Sequence, residues 1–142
     1  MNKNIIIGSD HAGYSLKTKI IEYLCEIGYE PKDMGTNNEL SCDYPLIAQK
    51  SCTEVIKTNG LGILICGTGV GMSIAANKIK GIRAAVVSES LSAKYSKLHN
   101  NTNVLCIGAR IIGEETAKDI IKTWMDTSFE GERHQARVNM LE

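Results

Sequence analysis

The stretch ILICGTGVGMSIAANK, residues 63–78, places Cys66 directly before Gly67, Thr68, Gly69, Val70 and Gly71. A glycine-rich segment that runs into a helix offers free backbone N–H groups and the positive end of the helix dipole. Such donors stabilise a phosphate, an enediolate oxygen or a thiolate. The segment therefore reads as a nucleotide cradle, as a proton-transfer pocket holding a thiol, or as a strand end whose cysteine is an inert buried side chain. The dinucleotide fingerprint requires Gly-x-Gly-x-x-Gly, whereas Gly71 comes one residue early and position 72 is Met. Glu89, about twenty residues on, stands where such a site has its ribose-binding acid. No Gly-Lys-Ser or Gly-Lys-Thr follows the glycines, so a Walker loop is excluded.

Three histidines occur, and none forms a His-x-x-x-His pair or sits beside two acids, so no metal site is expected. His11 lies in Ser9-Asp10-His11-Ala12-Gly13, where Ser9 or Asp10 is also a plausible helix cap. His99 lies in Lys97-Leu98-His99-Asn100, which reads equally well as a solvated helix end. Lysine outnumbers arginine twelve to four, yet Arg110, Arg133 and Arg137 all fall in the last third. Arg133 and Arg137 are four apart, so a helix there puts both guanidinium groups on one face, as a phosphate grip or as a solvated basic end.

These groups need a scaffold, and the chain of 142 residues suits one domain. Sixteen basic and sixteen acidic side chains cancel, so no overall field favours nucleic acid or an anionic membrane. No apolar run reaches the length of a membrane span, and Ile5-Ile6-Ile7 after Met1-Asn2-Lys3-Asn4 is too short for the apolar core of a signal sequence, so a cytoplasmic location is expected. Five scattered cysteines without a Cys-x-x-Cys pair argue against a disulfide framework and a zinc knuckle.

Short apolar runs at residues 5–7, 62–66, 82–87 and 104–107 suit strands buried on both faces. Residues 29–34 contain Pro31 and form a weaker edge strand. Between them Leu16, Ile20, Ile21 and Leu24, ended by Gly28, define one helix, and Ala117, Ile120, Ile121 and Trp124 another. A further helix spans residues 45–56. Alternating strands and helices imply right-handed crossovers, hence a Rossmann-like three-layer α/β/α fold with a five-stranded parallel sheet. Ligands bind such sheets beyond the carboxyl ends of the strands, which selects residues 9–11, 66–69, 88–89 and 109–110.

Taken together, GSDHAG at residues 8–13, DYP at 43–45, the glycine segment, GIRAAV at 81–86, HNNTNVL at 99–105, GAR at 108–110 and FEGERHQARV at 129–138 occur in one order. With these the chain resembles, end to end, the type B ribose-5-phosphate isomerases and the related galactose-6-phosphate and allose-6-phosphate isomerases. The resemblance implies that Cys66 moves a proton between C1 and C2 of an open-chain sugar phosphate. It further implies that residues 67–71, with Thr68, stabilise the cis-enediolate, that His99 protonates the ring oxygen in ring opening, and that Asp10 assists as the base. Asn100 is then a sugar ligand, while His11, Arg110, Arg133 and Arg137 hold sugar or phosphate, and no metal or organic cofactor is required.

In the expected fold His99 and Asn100 end the helix after the fourth strand, near the amino edge of the sheet, whereas Cys66 lies at the carboxyl edge. A single chain cannot then unite them. The expectation is an active site shared between subunits of a symmetric dimer, able to pair further, with Tyr44 reaching the same cleft. The leading expectation is interconversion of D-ribose 5-phosphate and D-ribulose 5-phosphate. A six-carbon sugar phosphate is the nearest alternative, and a nucleotide-binding module is the rival of another class.

Overall fold

The computed structural model describes residues 3–141 of the chain. Its elements are β1 (Ile5–Ser9), α1 (Tyr14–Glu26), β2 (Lys32–Asp33), α2 (Tyr44–Thr58), β3 (Leu61–Cys66), α3 (Val70–Ala76), β4 (Ala84–Val86), α4 (Ser90–Leu98), β5 (Val104–Gly108), α5 (Glu114–Asp126) and α6 (Arg133–Asn139). The strands form one five-stranded sheet in the order β2-β1-β3-β5-β4, with every pairing parallel. The expected three-layer α/β/α architecture is present.

The central strands carry large apolar side chains on both faces because both faces are covered. Ile5, Ile7, Ile63, Ile65, Leu105 and Ile107 point to one side, where α1, α4 and α5 pack with Leu16, Ile20, Ala93, Ile120 and Trp124. Ile6, Leu64, Cys66, Val104 and Cys106 alternate to the other side, against α2 and α3 through Ile47, Val55, Met72 and Ala76. Gly28 at φ +97 turns the chain after α1, and Pro45 lies in the first turn of α2, where its missing N–H costs nothing.

Two strands are shorter than the sequence suggests, and both are edges. The run at residues 29–34 yields only Lys32–Asp33, both exposed, since Pro31 removes a ladder donor. The run at residues 82–87 yields only Ala84–Val86, and its exposure corrects the expectation of burial on both faces. β4 pairs with β5 alone. The Asn77 side chain completes its free edge, accepting from the Ala84 N–H at 2.8 Å and donating to the Ala84 carbonyl at 2.9 Å. Among the described residues no helix is long and apolar enough to cross a membrane.

Candidate active site

Cys66 is the last residue of β3 and is 5% exposed, and its Sγ accepts the Gly69 N–H at 3.1 Å. That contact exists because Gly69 adopts φ +83, which folds the loop back over the sulfur. A Cβ on Gly69 would lie 2.9 Å from Val86 Cγ2 and 3.0 Å from the Ile107 carbonyl carbon. The loop is pinned from below, because the Ala109 N–H donates to the Cys66 carbonyl at 2.8 Å and the Arg110 N–H to the Gly67 carbonyl at 2.9 Å. Thr68 is exposed, and its Oγ1 accepts the Val70 N–H at 3.2 Å. A buried sulfur thus faces an ordered backbone donor at the mouth of an exposed loop.

The other strand-end residues gather around this loop. Asp10 is 7% exposed, its N–H donates to the Ile65 carbonyl at 3.1 Å, and its Oδ1 accepts the Gly13 N–H at 3.1 Å. It closes the turn ahead of α1 rather than capping the helix, whose N-cap is Gly13. His11 Nδ1 accepts the Cys42 N–H at 3.3 Å, leaving Nε2 as the proton-bearing nitrogen of the neutral ring. Tyr44, at the start of α2, lies so close to Gly71 that a Cβ there would be 2.8 Å from its Cε1. Arg110 is exposed and covers Gly67, whose added Cβ would lie 3.2 Å from Nη1.

The remaining site residues form a second group. His99 is the C-cap of α4, and its ring stacks on His134 with centroids 4.2 Å apart and planes 16° apart. His134 is 6% exposed with an unpartnered Nε2, 3.9 Å from Glu130 Oε1. Burial, then the charges of Arg133 and His99, holds the His134 imidazolium below the usual histidine range. Arg133 and Arg137 share helix α6, as their spacing predicts, and Arg133 pairs with Glu130 at 3.0 Å. His99, Asn100, His134 and Arg137 line one cavity of about 270 Å³. His99, Glu130 and His134 offer ligand atoms within 4.8 Å of one another. Arg133 and Arg137 add positive charge beside His134.

These groups lie at opposite edges of the sheet. Cys66 pairs with Gly108, and Gly62 with Val104, just after residues 99–103. Four residues of strand separate the two levels, about 13 Å along the sheet.

Comparison with known proteins gives the family. A family model described as Ribose/Galactose Isomerase matches residues 5–141. The chain is 49% identical over 141 residues to ribose-5-phosphate isomerase B of Escherichia coli (strain K12), covering 98% of this chain and 94% of that protein. The chain belongs to the ribose/galactose isomerase family. Among solved structures, the ribose-5-phosphate isomerase B of Clostridium thermocellum superposes with a TM-score of 0.95 at 47% identity, covering 97% of this chain and 94% of that one. That of Mycoplasma genitalium with bound ribulose-5-phosphate gives 0.94 at 40% identity, covering 97% and 93%.

Two features of this family member escaped sequence reasoning. His134 and Glu130 meet His99 only because the segment before α6 is tied to α4, the Glu130 N–H donating to the Leu98 carbonyl at 3.0 Å. Lys17, 1% exposed, donates Nζ to Asp33 Oδ1 at 2.6 Å and to the Thr36 carbonyl at 2.5 Å, anchoring the loop after β2 beside residues 9–11. A lysine in an apolar stripe was the available signal for the second; nothing in the spacing signals the first.

Proposed function

We propose that this chain interconverts D-ribose 5-phosphate and D-ribulose 5-phosphate by moving a proton between C1 and C2 through a cis-enediolate. The observation that carries the reading is Cys66 Sγ, buried at a strand end and held 3.1 Å from the Gly69 N–H. As thiolate, Cys66 removes the C2 proton of the aldose and returns it to C1. The negative charge passes to the substrate oxygens, where the N–H groups of residues 67–71 and Thr68 stabilise it, and the C2 hydroxyl proton moves to O1 as the C2 carbonyl forms. His99 delivers a proton to the ring oxygen, and Asp10 takes the proton of the anomeric hydroxyl, so the ring opens before isomerisation. Asn100 holds sugar hydroxyls, and Tyr44 closes the cleft beside Gly71. His11, Arg110, Arg133 and Arg137 bind sugar and phosphate, fixing the carbons against Cys66.

With Cys66 and His99 at opposite edges of the sheet, we assign each active site to two subunits of a symmetric dimer, one supplying residues 10–71 and 110, the other His99, Asn100 and the α6 arginines. Exposed apolar side chains around the glycine loop and β4 support such an interface: Val70, Ile74, Val86, Leu91 and Tyr95. The chemistry is that of a cytoplasmic sugar-phosphate enzyme.

Mixing Cys66→Ala with His99→Ala chains tests both points. Hybrid dimers rebuild one intact site in two, so statistical exchange restores about a quarter of wild-type turnover. No restoration despite hybrid formation, shown by mass spectrometry, overturns the shared site. Near-normal turnover by Cys66→Ala overturns the assigned base. Turnover on allose and galactose phosphates, compared with ribose 5-phosphate, separates the six-carbon reading.

A further inference from the structure

A cavity of about 420 Å³, larger than the one beside His99, opens at the amino edge of the sheet. Lys3, Arg83 and Lys97 line it together with Ser128 and the half-buried rings of Tyr29 and Phe129, and among the described residues no aspartate or glutamate does. It shares no lining residue with the His99 cavity. It borders the starts of β1 and β3 at Ile5 and Leu61, the end of the sheet away from Cys66.

Lys97 carries the argument. The residue is 8% exposed, its Nζ lies 4.1 Å from the Trp124 ring centroid, and among the described residues no carboxylate pairs with it. Burial, and next the charge of Lys3, pushes its ammonium down to about 8. A buried cation beside a second cation, without a counter-charge, is an unfavourable arrangement in a folded chain unless something else supplies the negative charge. Arg83 is already committed through Nε, which donates to the Asn101 carbonyl at 2.7 Å, and serves as wall. The two lysines are point charges suited to one phosphate dianion, while Tyr29 and Phe129 offer aromatic surface to an attached ring.

We propose that this cavity binds a small organic phosphate, its anionic group between Lys97 and Lys3 and its organic part against Tyr29 and Phe129. The site is separate from the isomerase centre and does not depend on that assignment. Titration calorimetry with AMP and with pyrophosphate tests it on the wild type, Lys97→Met, Ser128→Asp and Arg137→Ala, with thermal melts to confirm folding. The expected result is binding at a Kd of about 1 mM or tighter for at least one probe, weakened about tenfold or more by Lys97→Met. Ser128→Asp, which puts a carboxylate in the cavity, has the same effect and serves if Lys97→Met does not fold. Arg137→Ala leaves the binding intact. The proposal is overturned if neither probe binds, if both cavity variants bind like wild type, or if only Arg137→Ala abolishes binding.

Discussion

The two edges of the sheet are built in different ways. At the carboxyl edge the donor that meets the sulfur belongs to the backbone, held by glycines that leave no room for a side chain, and the sulfur is positioned by a local turn. At the amino edge the groups are long or aromatic side chains contributed by α4, α6 and the segment between α5 and α6, ordered by stacking and by their charges. Backbone donors keep their place without side-chain entropy and suit an oxyanion that exists only in the transition state. Charged side chains suit the binding of a group that is ionised throughout. The contrast extends to the cysteines, because burial pushes the Cys52 thiol up to about 12 and Cys106 well above its ordinary value, which keeps both as inert core.

The largest effect that sharpens this contrast is at Cys66. Cys66→Ala should lower kcat by about 10²–10⁴ with little change in Tm. Cys106→Ala should do the reverse, keeping turnover while losing about 1 kcal/mol or more of stability to the cavity it leaves in the sheet. Steady-state kinetics and thermal melts on the same preparations decide it, and comparable losses of turnover in both variants would erase the distinction.

Next comes the loop backbone. Gly69→Ala forces a side chain into the positive-φ conformation and against Val86 and the Ile107 backbone, costing about 1–3 kcal/mol and displacing the N–H from the sulfur. Turnover should fall with it. Retained activity and stability would show that the loop tolerates another path.

Smaller effects mark the amino edge. The folded state keeps His134 neutral below the pH at which the unfolded chain takes up its proton, near 6.5. Stability therefore falls as pH drops through about 6.5 and is level above it. His134→Gln should flatten that acid limb in a Tm against pH series. For Lys97 the opposite limb applies, since the unfolded lysine holds its proton to about 10.5 and the folded one only to about 8. Stability rises across that interval as the buried charge is neutralised, and Lys97→Met should lack the rise. Unchanged profiles in both variants would remove the electrostatic description of this edge.

Much of the fold was legible because parallel strands covered on both faces must be continuously apolar, as in Ile63, Leu64 and Ile65, and helices must alternate with them. β4 was overread because residues 82–87 form a short, mostly apolar run bounded like the central strands, and only its place outside β5 exposes Val86. In the candidate site, the glycine segment and the Arg133/Arg137 spacing were readable because both are local. His134 against His99, Lys17 against Asp33, and Lys97 beneath Trp124 were not, because each joins segments far apart in the chain.

By itself, then, the sequence determined the layered α/β architecture and the glycine turn beside Cys66, which follow from periodicity and short-range geometry, while the ordered motifs from GSDHAG to FEGERHQARV carried the resemblance to the family. Tertiary structure alone decided that the β5 strand inserts between β3 and β4, that His99 stacks on His134, and that Lys97 is buried beside a cavity lined, among the described residues, by no acid. The reason is physical: strand order and burial depend on how distant segments share one core, and no local pattern encodes which neighbour a side chain will meet.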